Sequence, residues 1–415
     1  MVTNAFPAMS RGEPQVPRRD GGNLDDLRRR NLSSVLRAVH LRNGSTRAEI
    51  THETGLNRST VRALVGDLVR AGIVFQEEPA SAGVVGRPSP SVHASDAVRV
   101  LAVNPETDAT VGAIVGIGGR VLARAEVRHA TSPSPDDVID AVGELIARLA
   151  PEGGLRGIGV AVPGLVDRAS GNVVIAPHLG WQNVPLADRL TTAYGGRVVV
   201  DNDANCGVVA ESLFGAARGH ETLVYLNGGA SGIGGSVITG GALLTGAHGY
   251  AGEFGHTLVN TGGRLCDCGA SGCLETEVTR SRLLAALPDT SPSDLERSLV
   301  SQSQIDGRRA PTADEVSPGA VEADRQLAFL GVALRAIVNT IDPEQILLGG
   351  FLASMVKARG LSIIESQLAH ALPGVKNDVH VTIAELGDDI LTVGAAQLVL
   401  REVIEDPLGS LPRAS

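Results

Sequence analysis

Glu253-Phe254-Gly255-His256 stands a few residues ahead of Cys266, Cys268, Cys273 and Glu275, so three of the chain's four cysteines share one glycine-rich stretch with a histidine. Three thiolates and an imidazole are the soft-to-borderline donors that tetrahedral zinc takes. Four such ligands complete the shell without a carboxylate and leave no open position for catalytic water. The expectation is a structural zinc held by His256, Cys266, Cys268 and Cys273. Buried free thiols and disulfides are the competing readings, but three thiols so close together in a cysteine-poor chain favour a metal.

The run from Gly252 through His256, the cysteine cluster and Cys273-Leu274-Glu275 resembles the zinc segment of the ROK family, named for repressors, open reading frames and sugar kinases. That resemblance implies that Glu253, His256 and Glu275 meet sugar hydroxyls, His256 through the ring nitrogen it does not give to zinc. Carboxylates are strong acceptors for hydroxyls, and a metal-bound histidine presents its second nitrogen to a fixed partner. Asn202-Asp203-Ala204-Asn205 resembles the family motif whose asparagine and aspartate bind the sugar, the aspartate serving as general base in the kinases. A carboxylate can take a hydroxyl proton or simply hold the hydroxyl. The segments Pro163-Gly164-Leu165-Val166-Asp167 and Ala176-Pro177-His178-Leu179-Gly180-Trp181 resemble sugar-facing loops, which adds Gly164 and His178 to the candidate set. Asparagine commonly stands in the family where His178 stands here. Either the change alters which sugar fits, or His178 is an exposed loop histidine.

Kinase activity turns on Asn104-Pro105-Glu106-Thr107-Asp108. This segment lies where ROK kinases carry Asp-x-Gly-x-Thr, their first phosphate-binding hairpin. Carboxylates at Glu106 and Asp108 replace a glycine and a hydroxyl, which repels triphosphate and prevents close backbone approach. Phosphoryl transfer rests almost wholly on positioning and charge neutralisation. The expectation is no enzyme, with Asp203 a vestigial general base, although the second glycine loop, Ser231 to Gly235, is better kept.

The elements that must position these groups belong to a chain of 415 residues, longer than one core usually supports, with 43% hydrophobic and 20% charged residues. No apolar run suggests a signal peptide or a membrane span, so cytoplasm and no membrane partner are expected. Charge divides unevenly. Residues 1–93 hold 13 arginines, no lysine and 9 acidic residues, while the whole chain is at −10. The N-terminal part is the one suited to a polyanion.

That part also carries a motif. Leu27, Leu32, Val35, Leu36 and Val39 recur at helical spacing over 24–41, and Thr46 with Glu49 forms a capping-box pattern opening a short helix. Gly55-Leu56-Asn57 makes a turn, and Asn57 caps a third helix through Val69. Arg58, Ser59, Thr60 and Arg62 crowd the start of this third helix, where a helix-turn-helix protein meets base edges and phosphates. Strands near Ile73 to Phe75 and Pro90 to Val92 would pair as a wing, with Gly86-Arg87-Pro88 at its tip. There Arg87 either enters a minor groove or belongs to a polar hairpin. The whole stretch resembles the winged helix-turn-helix fused to ROK domains in transcriptional regulators. The expected DNA-contacting set is Asn57, Arg58, Ser59, Thr60, Arg62 and Arg87.

The remainder reads as α/β in two related halves. Strands are expected at 98–103, 111–117, 155–162, 198–200, 223–226 and 345–348, with helices at 135–149, 320–341 and 353–371 and a polar insertion at 289–318. The resemblance implies a two-lobed, actin-like or hexokinase-like fold with a ligand cleft between the lobes. The organisation expected is a disordered arm at 1–23, a winged helix-turn-helix domain at 24–93 and a ROK sugar-binding domain with structural zinc at 94–415. The function expected is a repressor of carbohydrate metabolism, its operator affinity controlled by a sugar or sugar phosphate, acting as a homodimer or dimer of dimers. An active ROK kinase with an appended DNA-binding module, and a regulator answering to a protein partner, are the alternatives.

Overall fold

The computed structural model describes residues 24–42, 44–78, 89–149, 154–230, 232–303, 317–374 and 379–409. The expected arm, Arg87 with its glycine and proline neighbours, Ser231 and much of the expected insertion lie outside the described residues.

The N-terminal elements are α1 (Leu24–Arg42), β1 (Ser45–Thr46), α2 (Arg47–Thr54), α3 (Arg58–Arg70), β2 (Val74–Glu77) and β3 (Ser91–Ala94). Thr46 and Glu49 cap α2 reciprocally, the Thr46 amide donating to the Glu49 carboxylate at 2.7 Å. Gly55 ends α2 in the left-handed conformation, φ 67°, which costs glycine little. Asn57 accepts from the Thr60 amide at 2.8 Å and starts α3. Val61, Leu64, Val65 and Leu68 bury one face of α3 among Leu32, Val35, Leu36 and Val39 of α1. Leu27, counted in the apolar stripe, is exposed. The wing forms as β2 paired antiparallel to β3, and β1 adds a third strand that the short Ser-Thr pair did not announce.

The first lobe follows with β4 (Arg99–Pro105), β5 (Ala109–Gly116), β6 (Val121–Arg128), α4 (Pro135–Leu149), β7 (Ile158–Val162), β8 (Leu165–Asp167), β9 (Asn172–Ala176), β10 (Trp181–Val184), α5 (Leu186–Tyr194), β11 (Val198–Asn202) and α6 (Asp203–Phe214). The second lobe holds β12 (Leu223–Gly229), β13 (Gly232–Thr239), β14 (Ala242–Leu243), α7 (Leu274–Glu277), α8 (Arg280–Ala285), α9 (Leu295–Ser303), α10 (Pro318–Ile341), β15 (Gln345–Gly349), α11 (Gly350–Arg359), α12 (Ser362–Leu368) and β16 (His380–Ile383). The chain closes with α13 (Ile390–Glu405).

The two five-stranded sheets repeat one topology. Their orders, β11-β7-β4-β5-β6 and β14-β13-β12-β15-β16, each combine a three-strand antiparallel meander with two parallel strands. The parallel strands β7 and β15 are buried along their whole length, as strands covered on both faces must be. This is the two-lobed α/β fold expected. Within the lobes the chain also differs from the sequence reading, as α9 shows by burying Leu295 and Leu299 inside the expected polar insertion. Gly232 to Gly235 form the start of β13 rather than a free loop. The helix expected over 353–371 is two, broken at Gly360, whose φ of 75° no continuing helix accepts. The helix α13 was not foreseen, and it crosses back to the first lobe.

That crossing depends on two glycines. A Cβ on Gly159 of β7 would lie 2.0 Å from the Ala395 carbonyl oxygen, and one on Gly394 of α13 would lie 2.0 Å from that of Cys206 in α6. The backbones of β7, α13 and α6 therefore touch. Ala395, Ala396, Val399, Leu400 and Val403 join one continuous core with Val100 and Ala102 of β4 and with Leu32, Val35 and Leu36 of α1.

Candidate functional site

The cleft between the lobes holds a cavity of about 340 Å³, the lower end of ligand-pocket volumes. Gly164, His178, Asn202, Asp203, Glu253, His256 and Glu275 all line it. They converge from five separate chain segments, and each is fixed by its own local structure.

Asn202 ends β11 and caps α6, accepting from the Asn205 amide at 3.1 Å while its own amide donates to the Gly164 carbonyl at 3.0 Å. One side chain thereby starts a helix and holds the Pro163-Gly164 loop beside it. Asp203 follows, buried, with Oδ1 accepting from the Ala204 amide at 2.8 Å. Burial raises its pKa to about 6, and the negative charge of Glu253 adds to the rise. Below it runs a polar chain the sequence reading did not find: Arg168 to Asp201 at 2.7 Å, Asn205 to Asp201 at 3.1 Å and Ser236 to Asn205 at 2.7 Å. These fully partnered groups lock the end of β11 to α6 and β13.

From the second lobe come Glu253, His256 and Glu275. His256 ends a 3₁₀ turn, Phe254–His256, and Glu275 lies in the first turn of α7 behind Cys273. Burial raises the Glu253 pKa, with His256 opposing and Glu275 reinforcing the shift. At Gly232, φ is 122° and an added Cβ would lie 2.9 Å from Glu275 and 3.2 Å from the His178 ring. Only glycine leaves room for those two side chains to approach across the cleft. His178 accordingly borders the cavity, although its residue is exposed.

The ligand atoms of His256, Cys266, Cys268 and Cys273 all lie within 4.8 Å of one another. Cys268 and Cys273 sulfurs are 3.7 Å apart, and His256 Nδ1 is 3.6 Å from the Cys266 sulfur. Zinc–sulfur bonds near 2.3 Å give tetrahedral sulfur–sulfur edges of about 3.8 Å, so the donor set fits that ion. His256 Nε2 points away from the cluster, 3.9 Å from a Glu253 oxygen. Asp267 and Cys268 also line the cavity, which the sequence reading did not anticipate.

The hairpin between β4 and β5 stands at the mouth of this cleft. Asn104 is buried, and its amide donates to the Ala161 carbonyl at 3.0 Å, tying β4 to β7. Glu106 lines the cavity, and Asp108 reaches Arg280 of the second lobe at 3.6 Å.

A second candidate surface lies on α3. Arg58, Ser59 and Arg62 are exposed on the face opposite Val61, Leu64 and Val65, and Arg58 and Arg62 form no ion pair with any described residue. Ser59, Thr60 and Arg62 border a groove with Arg28, Arg47 and Arg70. Asp67, buried in α3, holds both Arg28 and Arg70, and Arg47 bonds Gln76 of the wing. Those three arginines were missed because they come from three separate elements. Asn57 differs from the others, since its oxygen is used by the Thr60 amide and the Ser59 hydroxyl.

One helix links the two sites. Asp203 opens α6 at the cavity, and Phe214 closes it against His40 of α1, the rings 5.0 Å apart and edge-on at 74°. Twelve residues make α6 about 18 Å long. His40 is buried, its pKa lowered to about 4 mainly by that burial, and its Nδ1 accepts from the Gly118 amide at 2.9 Å. The far end of α6 is anchored by buried Glu211, which accepts from the Ala216 and Leu386 amides, both at 2.8 Å.

Comparison with known proteins adds the following. The ROK family profile matches residues 101–402, and the IclR helix-turn-helix domain profile matches residues 31–78. The xylose repressor of Bacillus subtilis (strain 168) is 26% identical over 384 residues, 90% of this chain and 96% of that protein. The glucokinase of Thermotoga maritima is 30% identical over 298 residues, 70% of this chain and 93% of that protein. Among solved structures, a ROK family transcriptional regulator, homolog of the E. coli MLC protein, aligns with a TM-score of 0.70 at 22% identity, covering 93% of this chain and 99% of that one. A ROK family glucokinase from Streptomyces griseus, in complex with glucose and AMPPNP, aligns with a TM-score of 0.59 at 25% identity, covering 73% and 99%.

Proposed function

This chain belongs to the ROK family, and from that premise we propose that it is a DNA-binding transcriptional repressor of carbohydrate metabolism, controlled by a sugar bound between its lobes. The repressor relatives cover 90% of the chain, whereas the Thermotoga maritima glucokinase covers 70%. The observation that carries the reading is the physical continuity of α6, which has a cavity carboxylate at its first residue and a ring against the DNA-binding segment at its last.

In this reading Gly164, His178, Asn202, Asp203, Glu253, His256 and Glu275 receive the sugar. Asp203 and Glu253 accept hydrogen bonds from its hydroxyls, and His256 contributes Nε2. Zinc on His256, Cys266, Cys268 and Cys273 would contribute folding free energy to the loop that presents Glu253 and Glu275. Arg58, Ser59, Thr60 and Arg62 meet operator DNA from α3, while Arg28, Arg47 and Arg70 add positive charge toward the phosphates. Asn57 acts by setting the start of α3, and Arg87 would reach a minor groove. Closure of the lobes on the sugar shifts α6 and, through Phe214 and His40, tilts α1 with its packed α3. In a homodimer, or a dimer of dimers, that tilt changes the spacing of two recognition helices. Cytoplasm is the compartment this function requires, and no described helix is long and apolar enough to cross a membrane.

Phosphoryl transfer is not part of the proposal, because Glu106 and Asp108 put negative charge where a triphosphate would need donors. The test titrates operator binding against pentoses, hexoses and amino sugars, xylose and glucose among them, and measures sugar-dependent ATP turnover in parallel. One sugar should change operator affinity with no turnover. Robust phosphorylation abolished by Asp203→Asn would establish a kinase instead.

A further inference from the structure

We infer that the effector is an unphosphorylated sugar, and that Glu106 is a residue of the site which holds the sugar and rejects its phosphate esters. This rests on the sugar reading above and narrows it, since the sequence alone admits sugars and sugar phosphates equally.

The first ground is the composition of the cavity wall. Glu106, Asp203, Glu253, Asp267 and Glu275 line it, and among the described residues no arginine or lysine does. A phosphate dianion is held elsewhere in proteins by guanidinium groups, ammonium groups or free backbone N–H groups. Neutral hydroxyls need the reverse, strong acceptors, and this wall supplies them.

The second ground is that two amides at the start of α6, the longest helix to begin at the cavity wall, are already used. The Ala204 amide already donates to Asp203 and the Asn205 amide to Asn202. An anion brought there would displace two side chains that are themselves part of the wall. The histidines do not alter the balance. His256 gives Nδ1 to the cysteine cluster and turns Nε2 toward Glu253, and His178 approaches Glu275 across Gly232.

The third ground is the engagement of Arg280 of the second lobe. Arg280, which borders a separate cavity beside Gly349 and Gly350, pairs with Asp108 of the β4–β5 hairpin. The same turn thus sends Glu106 into the sugar cavity and uses Asp108 to occupy Arg280 at the neighbouring one. Its two carboxylates add negative charge to one cavity and neutralise a cation at the other. Glu106 is only half-buried, and its amide donates to Ala109 at 2.8 Å to close the turn, so the side chain is placed by a tight hairpin.

The test uses the full-length protein and calorimetry at fixed ionic strength. Xylose, glucose, glucosamine and N-acetylglucosamine are each compared with their own terminal phosphate ester. For any sugar that binds, the ester should bind about 100-fold more weakly or not at all, since several carboxylates face the added charge at short range. Glu106→Gln should weaken the sugar about 10-fold by removing a charged acceptor, and should narrow the gap between sugar and ester. Thr107→Ala, on the same turn but outside the cavity wall, should stay within about twofold of the unaltered protein and controls for the hairpin itself. An ester that binds as tightly as its parent sugar overturns the inference and leaves the sugar reading standing. Absence of binding by every sugar and ester overturns the sugar reading and this inference with it. Unchanged sugar affinity and unchanged discrimination in a folded Glu106→Gln protein remove Glu106 from the site.

Discussion

Phe214→Ala should separate sugar sensing from DNA binding. Phe214 sits at the end of α6, touching neither the cavity wall nor the α3 groove, and its ring packs edge-on against His40 of α1. An edge-to-face aromatic pair contributes about 0.5–1.5 kcal/mol beyond its buried area. Allosteric coupling free energies usually run about 1–3 kcal/mol, or 5- to 150-fold in affinity. Losing about 1 kcal/mol of a contact that transmits the signal should therefore reduce the sugar-induced change in operator affinity roughly fivefold. Fluorescence anisotropy with a labelled operator, at one salt concentration and with and without saturating sugar, measures that ratio. Calorimetry of sugar binding to the DNA-free protein should remain within about twofold of the unaltered protein. By reciprocity, the effect of operator DNA on sugar affinity must shrink by the same factor. A folded Phe214→Ala protein that keeps the full sugar-induced change would refute transmission through α6. Loss of sugar affinity without DNA would show instead that the substitution damages the cavity.

Three further outcomes follow from the same geometry. Arg62→Ala should weaken operator binding by about 1–3 kcal/mol if it meets a base, or lower the salt slope by about one if it meets a phosphate, with calorimetric sugar affinity unchanged. Metal analysis should find one zinc per chain. Cys268→Ser should lose that zinc and with it sugar binding, and full sugar affinity in a metal-free variant would contradict the loop's dependence on metal. Asp203, with its pKa raised to about 6 against an ordinary 3.8, favours the folded state only when protonated. Its contribution is present below about pH 4 and is lost as pH rises through about 6, up to roughly 3 kcal/mol. Asp203→Asn should flatten the pH dependence of urea unfolding across that window. Sugar affinity should run the opposite way, falling as pH drops below about 6, because the protonated carboxyl is a poorer acceptor.

Much of the site was legible before any fold because its chemistry is local. The cysteine cluster, His256, Glu253 and Glu275 lie within one short segment, and Asn202 and Asp203 are adjacent, so residue type and spacing carry them together. The capping residues Thr46, Glu49 and Asn57 were readable for the same reason, since a cap bonds to its own next turn. Glycine misled at Gly232 to Gly235. A poor strand former suggests a loop, yet at Gly235 an added Cβ would lie 2.5 Å from the Gly252 carbonyl oxygen, and the strand requires glycine there.

Other features depend on contacts that no local pattern contains. Residues 390–405 are apolar nearly all round, and only the packed molecule shows that α13 returns to meet β7, α6 and α1. Glu106 could be read in sequence as a lost phosphate-binding glycine. That it lines the candidate cavity follows from the β4–β5 hairpin bordering the cleft. His40 reads as one more residue at the end of a helix, until the packed molecule buries it against Phe214 of α6 and the Gly118 amide. Types and spacings thus determined which chemistry the chain can perform, because ligands and caps act over a few residues. The proposed route from sugar to DNA depends on tertiary structure, because it passes through side chains about 175 positions apart that meet only when α1 and α6 pack together.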